Sequence, residues 1–427
     1  MKRLPVSSIV IFVAAALIYA VGAATRAGVP GMVFDLIRSQ LGLSAFQTAG
    51  IAGSGVAGCI AFIGISGFLI DRYGWKALLI YGACFQIGGA WLMQEAGGAP
   101  ALWVGAFLNG GGRTIGYLSL LKLLDTEFER RRFALLIGFF YIFSYGGTFC
   151  GTAPFEWLLK YASWQTLLLY SNLLTAGLGV IIALTLLMER RRRPAAVGRQ
   201  TEKALRPGWR ETLAALSGRR ALAAFLCCGS GLVIYWSILG GLGRKFLADH
   251  CHASSGILGV MNLIVMAEMI FAGALSYCCG NRRKPFQLLG TGMLAAGALL
   301  LFAASFPWEL PALPVARAGF AAIGVGYGMT AVNITACREF VPPSCAASAI
   351  GTVNFCANIL MIGLMQLAGW LFDRFHGPDM TAGSAAFRIV FLLCAVLALA
   401  GFAAALTLPE THGNYAGGSR KQPASEK

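Results

Sequence analysis

Polar residues are sparse along this chain, and they come in clusters. Between the clusters lie apolar runs of about 20 residues, the length an α-helix needs to cross a hydrocarbon layer about 30 Å thick. Membrane-spanning strands would instead alternate over about ten residues. The runs predict helices over Ser8–Gly31, Ala45–Ile70, Ala77–Gln94, Ala101–Leu123, Phe133–Leu159 and Gln165–Met188, then over Ala221–Leu242, Ser255–Cys279, Pro285–Phe306, Leu313–Ala336, Ala346–Phe372 and Ala385–Leu408. Residues 189–220 interrupt the series: they are rich in arginine, carry Pro194 and Pro207, and form the only long polar stretch inside the chain. The expected organisation is an N-terminal six-helix bundle (1–188), a cytoplasmic basic linker (189–220), a C-terminal six-helix bundle (221–408) and a disordered polar tail (409–427). The predicted fold class is all-α integral membrane, with 12 transmembrane helices in two pseudo-symmetric bundles.

Composition agrees. Only 12% of the 427 residues are charged, against about 25% in soluble proteins, and 57% are hydrophobic. Glycine is abundant, at 55 residues, which in lipid allows helices to approach closely. The formal charge of +16 invites a nucleic-acid partner, but the basic residues lie in loops between apolar runs, where anionic lipid headgroups are the fitting partner. With the N-terminus inside, about 25 of the 34 Lys and Arg fall in cytoplasmic loops and tails. That bias places both termini in the cytoplasm, and the expected location is a bacterial inner membrane. The start, Lys2-Arg3 followed by an apolar run from Ile9, reads as an uncleaved first helix and not a cleaved signal peptide. Most of the 12 cysteines sit inside apolar runs, without a C-x-x-C pair, and read as small packing residues. No G-x-x-x-x-G-K-[ST] phosphate loop and no nucleophile-base-acid set is present, so direct ATP drive and enzymatic activity are not expected. Asp249-His250-Cys251-His252, in a loop, lacks the helical framing of a metal site, and no cofactor is expected.

The stretch Gly67-x-x-x-Asp71-Arg72-x-Gly74-x-Lys76, read as a short loop between the second and third helices, resembles the G-x-x-x-D-R-x-G-[RK]-[RK] loop of the major facilitator superfamily of secondary transporters. Trp75 replaces the first closing basic residue. Gly273-x-x-x-Tyr277-x-x-Gly280-x-Arg282 sits at the matching place in the second half, with the acid replaced. The ending Leu408-Pro409-Glu410-Thr411 is similar to the family's L-x-E-T. The resemblance implies two bundles rocking about a central cavity. It also implies that Asp71 and Arg72, framed by Gly67, Gly74 and Lys76, stabilise one state of a gate by binding helix ends. A second match, Gly369-x-x-x-Asp373-Arg374, lies nine crossings away on the opposite face, and reads as an ordinary helix-end ion pair without a gating role.

Ionisable residues within spanning helices are costly, and by default they are functional. Arg113 follows Gly110-Gly111-Gly112 in the fourth helix, where the family often has an arginine linked to substrate or protons; Arg113-x-x-Gly116 is one residue short of the family's R-x-x-x-G. Arg26, in the first helix, either faces the cavity or snorkels outward beside Asp35 and Arg38. Glu268, in the eighth, is the candidate proton-coupling site; the other reading is a counter-ion to an arginine. Asn109, Tyr141, Tyr145, Tyr235, Asn333 and Asn354 are candidate cavity-lining residues, as is Trp236, each with packing as its alternative. Gly147-x-x-x-Gly151-x-x-Pro154 departs from the G-x-x-x-G-P-x-x-G of the family's drug exporters. The expected function is alternating-access transport of a small organic anion, a carboxylate, with protons as coupling ion and a monomer as the working unit. Two rivals stay open: a drug/proton antiporter, and a non-transporting receptor or assembly factor on the same fold.

Overall fold

Four of the expected spans are broken by turns that the apolar pattern conceals. The structure, a computed structural model, describes residues 6–128, 130–192, 216–280, 282–306, 312–342, 346–375 and 380–412. Most of the expected linker and nearly all of the tail lie outside these residues. Helix α1 (Val6–Ala27) runs into a π-helical turn, Gly28–Met32, and then α2 (Phe34–Leu41). It is followed by α3 (Ala45–Tyr73), α4 (Trp75–Gln94), α5 (Ala99–Glu127), α6 (Arg130–Cys150), α7 (Ala153–Leu158) and α8 (Trp164–Arg192). The second half opens with α9 (Arg219–Ser237), a π turn at Ile238–Leu242, and α10 (Gly243–Asp249). Then come α11 (Gly256–Cys278), α12 (Lys284–Ala304), α13 (Ala312–Gly328), α14 (Thr330–Glu339), α15 (Ala346–Arg374) and α16 (Met380–Thr407). No strand occurs among the described residues.

Ten helical spans among the described residues are long and apolar enough to cross a membrane. The spans formed by α5 and by α6 with α7 are not among them. In α5 the triple glycine, Asn109 and Arg113 dilute the apolar run. The fifth expected helix is broken at Gly151-Thr152, and Pro154 opens α7, where its missing N–H costs nothing. Helix α3 begins with a capping box: Ser44 Oγ accepts from the Gln47 amide and Gln47 Oε1 accepts from the Ser44 amide.

The same pairings build both halves. Helix α1 packs on α6 and α8, as α9 packs on α15 and α16. Helix α5 packs against α3 and α4, as α13 packs against α11 and α12. Between the halves, α3 lies along α15 and α6 along α11. The two π turns meet at the pseudo-twofold axis, near the face remote from the chain ends, called here the distal face. A Cβ on Gly31 would stand 2.4 Å from the Leu239 carbonyl oxygen, so only glycine allows this approach. Opposite it, Gly241 has φ +130°, a conformation that glycine adopts without strain.

Candidate functional site

The middle of the molecule holds two arginines whose side chains turn inward. Helix α5 is drawn against its neighbours by the triple glycine: a Cβ at Gly110 would lie 1.9 Å from the Gly55 carbonyl oxygen of α3, and one at Gly112 would lie 2.6 Å from that of Gly82 in α4. One residue on, Arg113 is only 5% exposed. Its Nη2 donates to Cys59 Sγ at 3.3 Å, and its guanidinium lies 5.9 Å from the centre of the Tyr19 ring. Cys59 in turn donates to the Gly110 carbonyl at 3.3 Å.

Arg26 comes in from α1, which is seated on α6 by the close approach of Gly147 and Gly151 to the Ala20 and Ala24 carbonyls. Its guanidinium lies 4.0 Å over the ring of Trp236, on α9 of the other half. Arg26 therefore does not snorkel toward Asp35 and Arg38. Thr25, Arg26, Met93, Asn109 and Arg113 line one cavity of about 30 Å³, room for about one water. Among the described residues no carboxylate lies within ion-pair distance of either guanidinium. An isolated buried charge is expensive unless something pairs with it.

An aromatic wall continues from Trp236. Its ring meets Tyr235 edge-on at 5.1 Å, Tyr235 stacks on Tyr327 at 3.8 Å, and the Tyr327 hydroxyl lies 3.3 Å from that of Tyr145. Tyr141 adjoins Tyr145, with ring centres 6.3 Å apart.

The expected lining residues divide accordingly. Asn109 lines the cavity, and its Nδ2 donates to the Gln86 carbonyl at 3.2 Å. Tyr141 and Tyr145 stand in the wall. Tyr235 is fully buried and its hydroxyl donates to Asn262, so it supports the wall and is not open to cargo here. Asn354 spends its amide on the Ile350 carbonyl of its own helix, at 2.9 Å. Asn333 is buried with its Oδ1 unpartnered, and is not part of the cavity lining. Glu268 is half-buried against Gly328, where a Cβ would meet its own Cβ, and makes no ion pair among the described residues. The structure therefore does not bring Glu268 to the arginines. Tyr19 and Tyr327 escaped the sequence reading. Tyr19 stands two helical turns before Arg26 on the same face of α1, a spacing that could have revealed it.

The sequence profile of the Major Facilitator Superfamily matches residues 11–365. The chain belongs to the Major Facilitator Superfamily. Curated proteins give no match to it. Among solved structures, this superfamily member resembles a bacterial homologue of the human lysosomal transporter Spinster, in an inward-facing and unoccupied conformation, with a TM-score of 0.73. The likeness covers 96% of this chain and 99% of that one at 15% identity, and shows a shared fold.

The superfamily's signature stretch differs from the expected loop. Gly67, Asp71 and Arg72 ride on α3, which stays helical through Tyr73 because nothing breaks it before Gly74. Gly74, at φ +80°, is the whole turn. The side chains of Asp71 and Arg72 lie outside the described residues. Lys76 pairs with Glu189 of its own half at 2.8 Å.

The second match needs correcting. Asp373, at the end of α15, is no ordinary helix-end pair. Its two oxygens accept the Ala45 and Phe46 amides at the start of α3, both at 2.9 Å, and Arg38 lies 3.7 Å away. A carboxylate there satisfies amides that have no partner within their own helix and complements the helix dipole. Other cross-half bonds gather beside it at the distal face. Arg244 reaches Asp35 at 3.5 Å and Glu156 at 3.7 Å, and Glu156 also accepts from Ser255. Lys245 bridges Asp35 at 3.4 Å and Asp249 at 2.7 Å. Spacing alone assigned Asp373 to a face, and could not show that another half's helix start lay against it.

Proposed function

We propose that this superfamily member is a secondary transporter of a small organic carboxylate, binding it between Arg26 and Arg113. The observation that carries the reading is the pair of inward-facing guanidiniums without a carboxylate partner among the described residues. Guanidinium is planar, permanently charged and suited to bidentate bonds with carboxylate. Asn109, Tyr141 and Tyr145 would complete the lining. The bonds at the distal face favour a state closed on that side, with the site reached from the face of the chain ends. The lysine and arginine bias makes that face cytoplasmic.

Proton coupling through Glu268 is the second part of the proposal. Glu268 is a half-buried carboxylate packed against Gly328, without an ion pair among the described residues, and would be the group that carries the coupling proton. Uptake driven by an imposed pH gradient, lost in Glu268→Gln, tests it; gradient-driven uptake that persists in the variant contradicts it. A drug exporter would need neither arginine, and two unpaired cations oppose its lipophilic cationic cargo.

The carboxylate reading is tested by thermal shift of the purified protein against carboxylates, sugars, amines and lipophilic cations. Ligand that binds only the folded state raises the midpoint. Stabilisation by carboxylates in the native protein and its loss in Arg113→Gln is the expected result. Stabilisation by lipophilic cations alone, equal in both proteins, overturns it.

A further inference from the structure

The charge balance of the chamber goes further than the class of its cargo. Arg26 and Arg113 share one cavity lining. Among the described residues, the contacts they make are with uncharged groups. Arg26 has the face of Trp236, and Arg113 has a thiol and the face of Tyr19. The Cys59 Sγ lies 3.3 Å from Arg113 Nη2 and 3.3 Å from the Gly110 carbonyl, which places a thiol proton on that carbonyl. Glu268 faces Gly328 instead. Among the described residues, the groups that touch the two cations supply polarisability and no carboxylate.

We infer that the cargo is a dianion, a small dicarboxylate with one carboxylate on each guanidinium. The inference rests on the carboxylate reading above. In a poorly screened interior, a monoanion would leave one arginine uncompensated beside the other, whereas a dianion cancels both charges and their mutual repulsion. The two arginines are also placed to respond differently. Arg113 is fixed by Cys59 and the tight seating of α5. Arg26 is half-buried and, among the described residues, held by the Trp236 stack, which leaves its edge N–H groups able to bond a carboxylate while the face stays on the ring. Arg113 would anchor one end of the cargo, and Arg26 would read the second charge.

The test is the charge preference of the full-length protein and of Arg26→Gln. Thermal shifts are measured with succinate and glutarate against butyrate and valerate, which match them in chain length. The native protein is expected to respond to the dicarboxylates at concentrations at least about tenfold lower. In Arg26→Gln that preference disappears or inverts, while butyrate still stabilises. Arg26→Lys, which keeps the charge, retains the preference and separates charge from folding damage. Equal response of the native protein to both classes overturns the dianion, and leaves the carboxylate reading standing. An unchanged dicarboxylate preference in Arg26→Gln overturns it too. No response to either class fails the carboxylate reading itself, and the dianion with it.

Discussion

The distal face and the central chamber treat charge in opposite ways. At the distal face, Asp35, Arg38, Glu156, Arg244, Lys245, Asp249 and Asp373 each have a partner, and most of those bonds cross between the halves. In the chamber, Arg26 and Arg113 have none of opposite sign among the described residues. Paired charges at the face hold one arrangement of the halves. On the proposed function, the unpaired charges in the chamber are completed by an anionic cargo. Cargo binding and closure of the distal face would then be built from the same chemistry, finished in one place and left open in the other.

The largest effect should come from the chamber. Arg113→Gln removes a buried cation on which the site depends, and losing one member of a buried charged contact costs about 3–5 kcal/mol. Carboxylate affinity is expected to fall by more than about a hundredfold in a titration of the purified protein. An unchanged affinity would move the site elsewhere.

Next comes the distal cap. Hydrogen bonds to a charged group contribute about 1.5–3 kcal/mol, less where the carboxylate is part-exposed as Asp373 is. In Asp373→Asn the amides of Ala45 and Phe46, which have no helical partner, should exchange hydrogen about tenfold faster, and the distal face should open more often. If exchange at these two amides does not change, the cap does not hold the face. Glu189→Gln is the control that sharpens the contrast: it breaks a pair inside one half, and should leave that exchange unaltered.

A smaller effect is expected at the bridge between the regions. Trp236→Leu removes a cation–π contact contributing about 0.5–2 kcal/mol. Dicarboxylate affinity should drop about tenfold at most, without loss of folding. A hundredfold drop would mean that Trp236 contacts cargo directly.

The smallest effect concerns pH. His250, at the distal face, stacks on Phe246 and bonds the Ala304 carbonyl at 2.9 Å. Burial lowers its pKa below the ordinary histidine value, outweighing that hydrogen bond. The unfolded chain then binds the proton more readily than the folded one, so this group's contribution is present above the unfolded value and is lost as pH falls through the folded value. Melting temperature measured across that window should fall less steeply in His250→Asn than in the native protein. Identical slopes would remove His250 from the account.

Much of this was legible in the sequence, for physical reasons. Long apolar runs mark helices regardless of context, and an arginine inside such a run announces itself by its cost. Arg26 and Arg113 stand out in this way, and the structure places them, with Asn109, around one cavity. The π turns at Gly28–Met32 and Ile238–Leu242 were hidden because their residues are as apolar as the helices they interrupt. Tyr235 passed as a lining residue because spacing does not reveal that Asn262 takes its hydroxyl. Asp373 was misread because its partners, Ala45 and Phe46, stand more than 300 positions away and offer backbone amides, which carry no sequence signal.

The most direct test of the contrast between filled and unfilled charge is an experimental structure with a saturating dicarboxylate. Carboxylate oxygens are expected within hydrogen-bonding distance of both Arg26 and Arg113, about 2.7–2.9 Å, with the ligand between them. Ligand bound away from both arginines, or an arginine found paired with a carboxylate of the protein itself, would contradict it.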